Sequence, residues 1–176
     1  MTKNIAVAIL LVAGIAVALT ALVIGAGMYN VAADDGHTRF VSWLLETTRE
    51  RSIAVRADGI RVPELSDAQR IRSGAGNYDA MCASCHLAPG VEATEISPGL
   101  NPEPPNITKS TRVDPARAFW IIKHGIKATG MPAWGKSMQD EYIWDMVALL
   151  LKLPEMTPDD YRREVRASAA NSHGDG

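Results

Sequence analysis

Hydrophobic and polar positions divide the chain unevenly. From Asn4 to Ala33 there is no charged residue, and the run from Ile5 to Met28 is almost wholly apolar. It has no polar face, so its pattern is that of a helix in lipid rather than the amphipathic helix of a soluble core. As a helix it is roughly 36 Å long, against a hydrocarbon core of about 30 Å. A cleaved secretory signal usually has an apolar region of only about 7–15 residues, although Val31-Ala32-Ala33 has the small side chains of a cleavage site. Residues 1–33 are therefore read as an N-terminal transmembrane anchor. Lys3 precedes the run and Asp34 and Asp35 follow it, which predicts a cytoplasmic N-terminus and an exported remainder.

Past the anchor the period becomes amphipathic. In residues 34–65, Phe40, Val41, Leu44 and Leu45 form a helical stripe with Trp43 beside it, and Val55 to Leu65, with Gly59 and Pro63, reads as an extended connector. The stripe can extend the membrane helix, lie on the bilayer surface or pack on the following domain. Ser66 with Gln69 three residues on is a capping-box pattern, and it predicts a helix from Asp67 to about Met81 with Gly74, Tyr78 and Cys82 on one face. Ala88 to Asn106 carries Pro89, Pro98, Pro102, Pro104 and Pro105 without periodicity, as a loop does. Asp114 followed by Pro115 predicts a second helix closed by Gly125, with Ala118, Phe119 and Ile122 inward. Ser137 with Asp140 predicts a third, ending at Leu153 before Pro154. Residues 154–176 read as a polar, frayed tail. No segment shows strand alternation, so residues 66–153 are expected to be an all-α domain.

Composition matters in two places. The net charge of −2 gives no support for a nucleic-acid partner. It is uneven, though: Ile107 to Met138 holds Lys109, Arg112, Arg117, Lys123, Lys127 and Lys136 against Asp114 alone, a local +5. Near an active site, such a stretch would steer an acidic partner; equally, it is what a solvated surface looks like. Only two cysteines are present, Cys82 and Cys85, too few for a disulfide framework.

Those cysteines stand in Cys82-Ala83-Ser84-Cys85-His86, the C-x-x-C-H attachment pattern of haem c. Two thiols at this spacing add to the two vinyl groups of one haem, and the following histidine offers its imidazole to the iron. A thioredoxin-like dithiol would need a βαβ context, and a structural zinc site would need further cysteines or histidines nearby.

With Gly74 and Tyr78 before the motif, Gly130-Met131-Pro132-Ala133-Trp134-Gly135 after it, and a terminal helix, Ser66 to Leu153 resembles the class I mono-haem c-type cytochromes, of the membrane-anchored bacterial kind. The resemblance implies a cytochrome c fold of about three main helices around one covalently attached haem c. It implies Met131 as the second axial ligand beside His86, and a proline carbonyl as acceptor for the ring N–H of His86. Pro105, in Pro105-Asn106-Ile107, is similar to the family's run for that acceptor, with Pro98 as the alternative. The chain departs from the family at Leu149, where an aromatic residue is usual; Trp144 lies nearby. His124 is the rival to Met131 as ligand, and reads otherwise as a helix-end residue. His37 and His173 read as solvated.

Two axial protein ligands leave no open position on the iron, which implies one-electron transfer rather than catalysis or gas sensing. The expectation is a carrier of single electrons between respiratory partners on the periplasmic face of a bacterial inner membrane. The alternative is a fixed haem c subunit of a larger membrane oxidoreductase, such as a terminal oxidase or a quinol or substrate dehydrogenase.

Overall fold

A computed structural model describes residues 2–110 and 112–168, and the chain divides after Asp35 into two compact units. The first is one long helix, α1 (Thr2–Gly25), followed by a turn at Ala26–Gly27. Leu, Ile and Val side chains cover α1 on all sides and are exposed. Among the described residues it is the one helix long and apolar enough to cross a membrane.

Helices are the regular elements among the described residues of the second unit: α2 (Arg39–Ala57), α3 (Ala68–Met81), the single turn α4 (Ala83–His86), α5 (Pro115–His124), α6 (Asp140–Lys152) and α7 (Pro158–Ser168), joined by loops and short 3-10 turns. Its centre is the packing of α3 on α6. Ile143, Met146, Val147 and Leu149 of α6 are fully buried there, with Ala75 and Tyr78 of α3. The two helices meet closely because Gly74 has no side chain. A Cβ at that position would lie 2.1 Å from the Asp145 carbonyl oxygen and 2.6 Å from its carbon. Arg70 of α3 ties the same crossing by donating to the Asp145 carboxylate at 2.9 Å. Burial outweighs that ion pair and holds the Asp145 pKa above the ordinary carboxylate range.

Phe119 of α5 stacks on Trp144 of α6, with ring centroids 4.1 Å apart and planes inclined by 13°. Trp144 thus serves the α5–α6 contact, while Leu149 is sealed in the core. Asp114 caps α5 by accepting from the Arg117 backbone N–H, and Gly125 ends it with φ +63°, as the Asp-Pro and Gly signals predict.

Four expectations need correction. The cap of α3 is Asp67, which accepts from the Gln69 N–H, rather than Ser66. The start of α6 is Gln139, with no side-chain cap, because Ser137 is engaged in the turn of residues 134–136. Helix α2 runs three residues past Ala54, so the connector begins at Asp58. It packs on α5 through its C-terminal half, where Ile53 and Ala57 are buried, whereas Phe40, Trp43, Leu44 and Leu45 are exposed.

The largest difference is the tail. Residues 158–168 form α7, which packs along α3. Tyr161 is buried, Val165 packs partly buried against the same core, and the Tyr161 hydroxyl donates to Asp79 at 2.9 Å. Thr157 and Asp160 cap each other's backbone N–H groups at its start. The segment is too polar for its period to stand out, yet Thr157-Pro158-Asp159-Asp160 carries a legible helix start. His173 lies outside the described residues.

Candidate functional site

Helix α3 ends at Cys82, and α4 continues at once through Ala83, Ser84, Cys85 and His86. The Cys85 and His86 N–H groups both donate to the Cys82 carbonyl, at 3.1 and 2.8 Å, so the motif is one tight helical turn. It is held from outside as well. The Ser97 hydroxyl donates to the Cys85 carbonyl at 3.0 Å, and the Thr94 hydroxyl to that of Ser84 at 2.5 Å. Leu87 leaves the turn with φ +61° and ψ 169°, a sparsely populated region that costs a non-glycine residue about 1–3 kcal/mol. The buried Tyr78 hydroxyl donates to the Leu87 carbonyl at 2.6 Å and secures it. Burial, with the Cys85 thiol adding, pushes the Cys82 thiol up to about 12. That is the opposite of the thiolate a redox dithiol or a metal thiolate needs.

His86 Nδ1 lies 2.9 Å from the Pro105 carbonyl oxygen. A carbonyl can only accept, so Nδ1 is the donor, and in the neutral imidazole Nε2 then holds the lone pair that a metal would take. Pro98 instead sits in the short helical turn Ser97–Gly99.

The loop that holds Met131 is folded back onto the end of α5. The Ile126 N–H donates to the Met131 carbonyl at 3.2 Å, and the Met131 N–H donates to the Thr129 hydroxyl at 3.1 Å. Gly125 permits this approach. Any Cβ there would meet the Met131 oxygen and the Pro132 carbon at 2.7 Å, in addition to the cost of its positive φ. His124 is exposed and packs its ring on Trp120, with centroids 5.0 Å apart.

These pieces converge on one cavity of about 590 Å³, lined by Cys82, Cys85, His86, Pro105 and Met131. Its remaining walls are largely apolar, with Leu100, Ile122, Ile126, Met146 and Leu150, and its volume is that of a cofactor site. His124 is not among its lining residues. Among the described residues no three His, Cys, Asp or Glu side chains cluster as a metal site would require. A cavity with paired thiols, an oriented imidazole and a thioether fits a covalently attached metalloporphyrin.

Residues 69–150 match the family model described as cytochrome c oxidase, cbb3-type, subunit III. The chain carries a c-type cytochrome domain. Such a domain binds haem c covalently, with its iron, and serves electron transfer. No curated protein and no solved structure matches the chain.

Sequence reasoning missed one part of the cytochrome site. Arg49, Glu50 and Ile53 of α2 line the same cavity, although α2 precedes the matched segment. A helical period alone says which face of α2 is apolar, not what that face meets. Sequence reasoning also left the basic stretch undivided. In the structure Arg117 pairs with Glu50, and Lys123 pairs with Asp140 at 2.7 Å, while Lys109, Lys127 and Lys136 remain exposed.

Proposed function

We propose that the protein is a membrane-anchored mono-haem cytochrome c that passes single electrons between respiratory partners on the periplasmic face of a bacterial inner membrane. Cys82 and Cys85 would hold the haem, His86 and Met131 would supply the ligands to its iron, and Pro105 would orient the His86 ring. The observation that carries this reading is the shared cavity, in which His86 Nδ1 meets the Pro105 carbonyl, leaving Nε2 as the nitrogen available to a metal, and Met131 stands on a hydrogen-bonded loop. When bound, the haem supplies a one-electron ferric–ferrous couple.

The chain's own residues keep that couple simple. The Pro105 acceptor holds His86 in one tautomer and orientation, so little needs to move between oxidation states. The hydrogen bonds of the 125–131 loop keep a weakly binding thioether in place. The apolar walls limit water around the site. The exposed Lys109, Lys127 and Lys136 favour partners with acidic docking faces, and raised ionic strength should slow transfer to such a partner.

Optical spectra of the full chain test the ligand set. The wild type should show a sharp reduced c-type band and an oxidised methionine-to-iron charge-transfer band. Met131→Ala should abolish the latter, and its persistence would mean that another residue is the ligand.

A second reading is favoured by the matched family's description, which names an oxidase subunit. The chain would then be a fixed haem subunit of a membrane oxidoreductase. Purification in mild detergent separates the two: a lone chain supports the carrier, and a stoichiometric complex supports the subunit.

A further inference from the structure

Helix α2 has two faces of opposite use. At about 100° per residue, Ile53 and Ala57 share one side of it, and they are buried where α2 packs on α5. Phe40, Leu44, Arg51 and Val55 lie about 150° around the helix from them. Such an outward face is normally polar on a surface helix, yet here Phe40 is 68% exposed and Val55 70%. Trp43, also exposed, widens the apolar surface at the start of the helix, and its ring centroid lies 5.9 Å from that of Phe40. Thr38 caps the helix by accepting from the Val41 N–H, so these residues already stand on formed helix. Glu46 and Glu50 lie on the side of Ile53 and Ala57, which leaves Arg51 as the charge of the outward face.

The covalent path of the chain favours one occupant for this face. Residues 26–38 join α1 to α2, and fully extended they would span roughly 45 Å. They are shorter than that, because the Asn30 side chain donates to Asp35 and accepts from the Ala32 N–H. With α1 in a bilayer, the start of α2 stays within reach of the headgroups. Aromatic rings, leucine and arginine without a carboxylate are the side chains of a helix that lies in a membrane interface. Arg51 can lay its stem along the apolar face and keep its guanidinium among the headgroups.

We propose that the outward face of α2 lies on the membrane surface, with Phe40, Trp43 and Leu44 at the boundary between headgroups and acyl chains. This rests on the membrane anchor proposed above. The opposite face grips α5 through Ile53, Ala57 and the Glu50–Arg117 pair. Helix α2 therefore couples the cytochrome domain to the bilayer and holds it in one orientation, where a free tether would let it swing.

The test is carbene labelling of the full-length haem-loaded protein in vesicles of phosphatidylcholine and phosphatidylglycerol. The vesicles include a phospholipid with a diazirine near the top of its acyl chain. Trypsin cuts after Lys3, Arg39, Arg49, Lys136 and Lys152, so mass spectrometry reads the anchor in Asn4–Arg39, the α2 stripe in Phe40–Arg49 and α6 in Ser137–Lys152. The first two peptides should be labelled and the third should not. Phe40→Ser combined with Leu44→Ser should cut labelling of Phe40–Arg49 severalfold and leave Asn4–Arg39 unchanged. Both side chains are exposed, so the c-type spectrum should not change either. A labelled anchor with an unlabelled Phe40–Arg49 would overturn the proposal, as would undiminished labelling in the double variant. So would labelling of Phe40–Arg49 in vesicles but not in native membranes, which would mean that a protein subunit covers the face. An unlabelled Asn4–Arg39 would instead overturn the membrane anchor itself.

Discussion

Gly74→Ala probes the contact on which the haem turn depends. The new Cβ would sit 2.1 Å from a backbone oxygen, where ordinary contact begins at 3.4 Å, so α3 and α6 must separate by about 1.3 Å. The obstacle is the Asp145 main chain, which cannot turn aside as a side chain could. Separation loosens the fully buried layer of Ile143, Met146 and Val147 against Ala75. Such overpacking costs about 3 kcal/mol at the upper end of its usual range, while alanine's better helix propensity returns about 1 kcal/mol. The net destabilisation is about 2 kcal/mol, or a fall in Tm of about 8 °C for a domain of this size. Thermal unfolding of the full-length haem-loaded protein, followed by the helical circular dichroism signal, measures it. A Tm within 1 °C of wild type would refute the reasoning, because it would mean that the crossing tolerates a methyl group where the structure leaves no room.

Tyr161→Ala should cost about 3 kcal/mol through loss of a buried ring and its Asp79 hydrogen bond; chemical denaturation checks this, and a neutral effect would show that α7 is not part of the folded core. Trp144→Ala removes the stacked partner of Phe119 and should cost about 2–3 kcal/mol, read as a lower denaturation midpoint with an unchanged reduced haem spectrum. Because burial raises the folded-state pKa of Asp145, the folded protein holds that proton more tightly than the unfolded chain. Its ionisation therefore weakens the fold as pH rises from the ordinary carboxylate value through the raised one. As pH rises above the ordinary carboxylate value of about 4, wild type should lose stability relative to Asp145→Asn in denaturation midpoints, and parallel curves would refute the assignment.

Local signals were legible where one stretch of chain carries the whole cause. Asp114 and Pro115 start α5, Gly125 ends it, and Cys82 to His86 make a single turn, because caps and tight turns are decided by neighbours in sequence. The cap errors at Ser66 and Ser137 have different origins: at α3 the neighbouring Asp67 caps in place of Ser66, and at α6 the preceding turn engages Ser137, so that no side chain caps the helix. The missed helix α7 is different. It docks on α3, about eighty residues away in sequence, through Tyr161 and Val165 and through the Tyr161–Asp79 and Arg72–Glu164 pairs, none of which a local pattern shows.

The sequence by itself determined an uncharged helix of membrane-spanning length, an all-α domain, and a thiol–thiol–histidine turn of the haem c pattern. These depend on composition, period and spacing, which are properties of contiguous chain. Tertiary structure alone decided which carbonyl orients His86, that Met131 rather than His124 lines the cavity, and which arginines are already paired. It also brought α2 into the pocket wall. Each of these is a meeting of residues distant in sequence, set by how closely helices can pack: Gly74 lets α6 onto α3, and Gly125 lets the methionine loop onto α5.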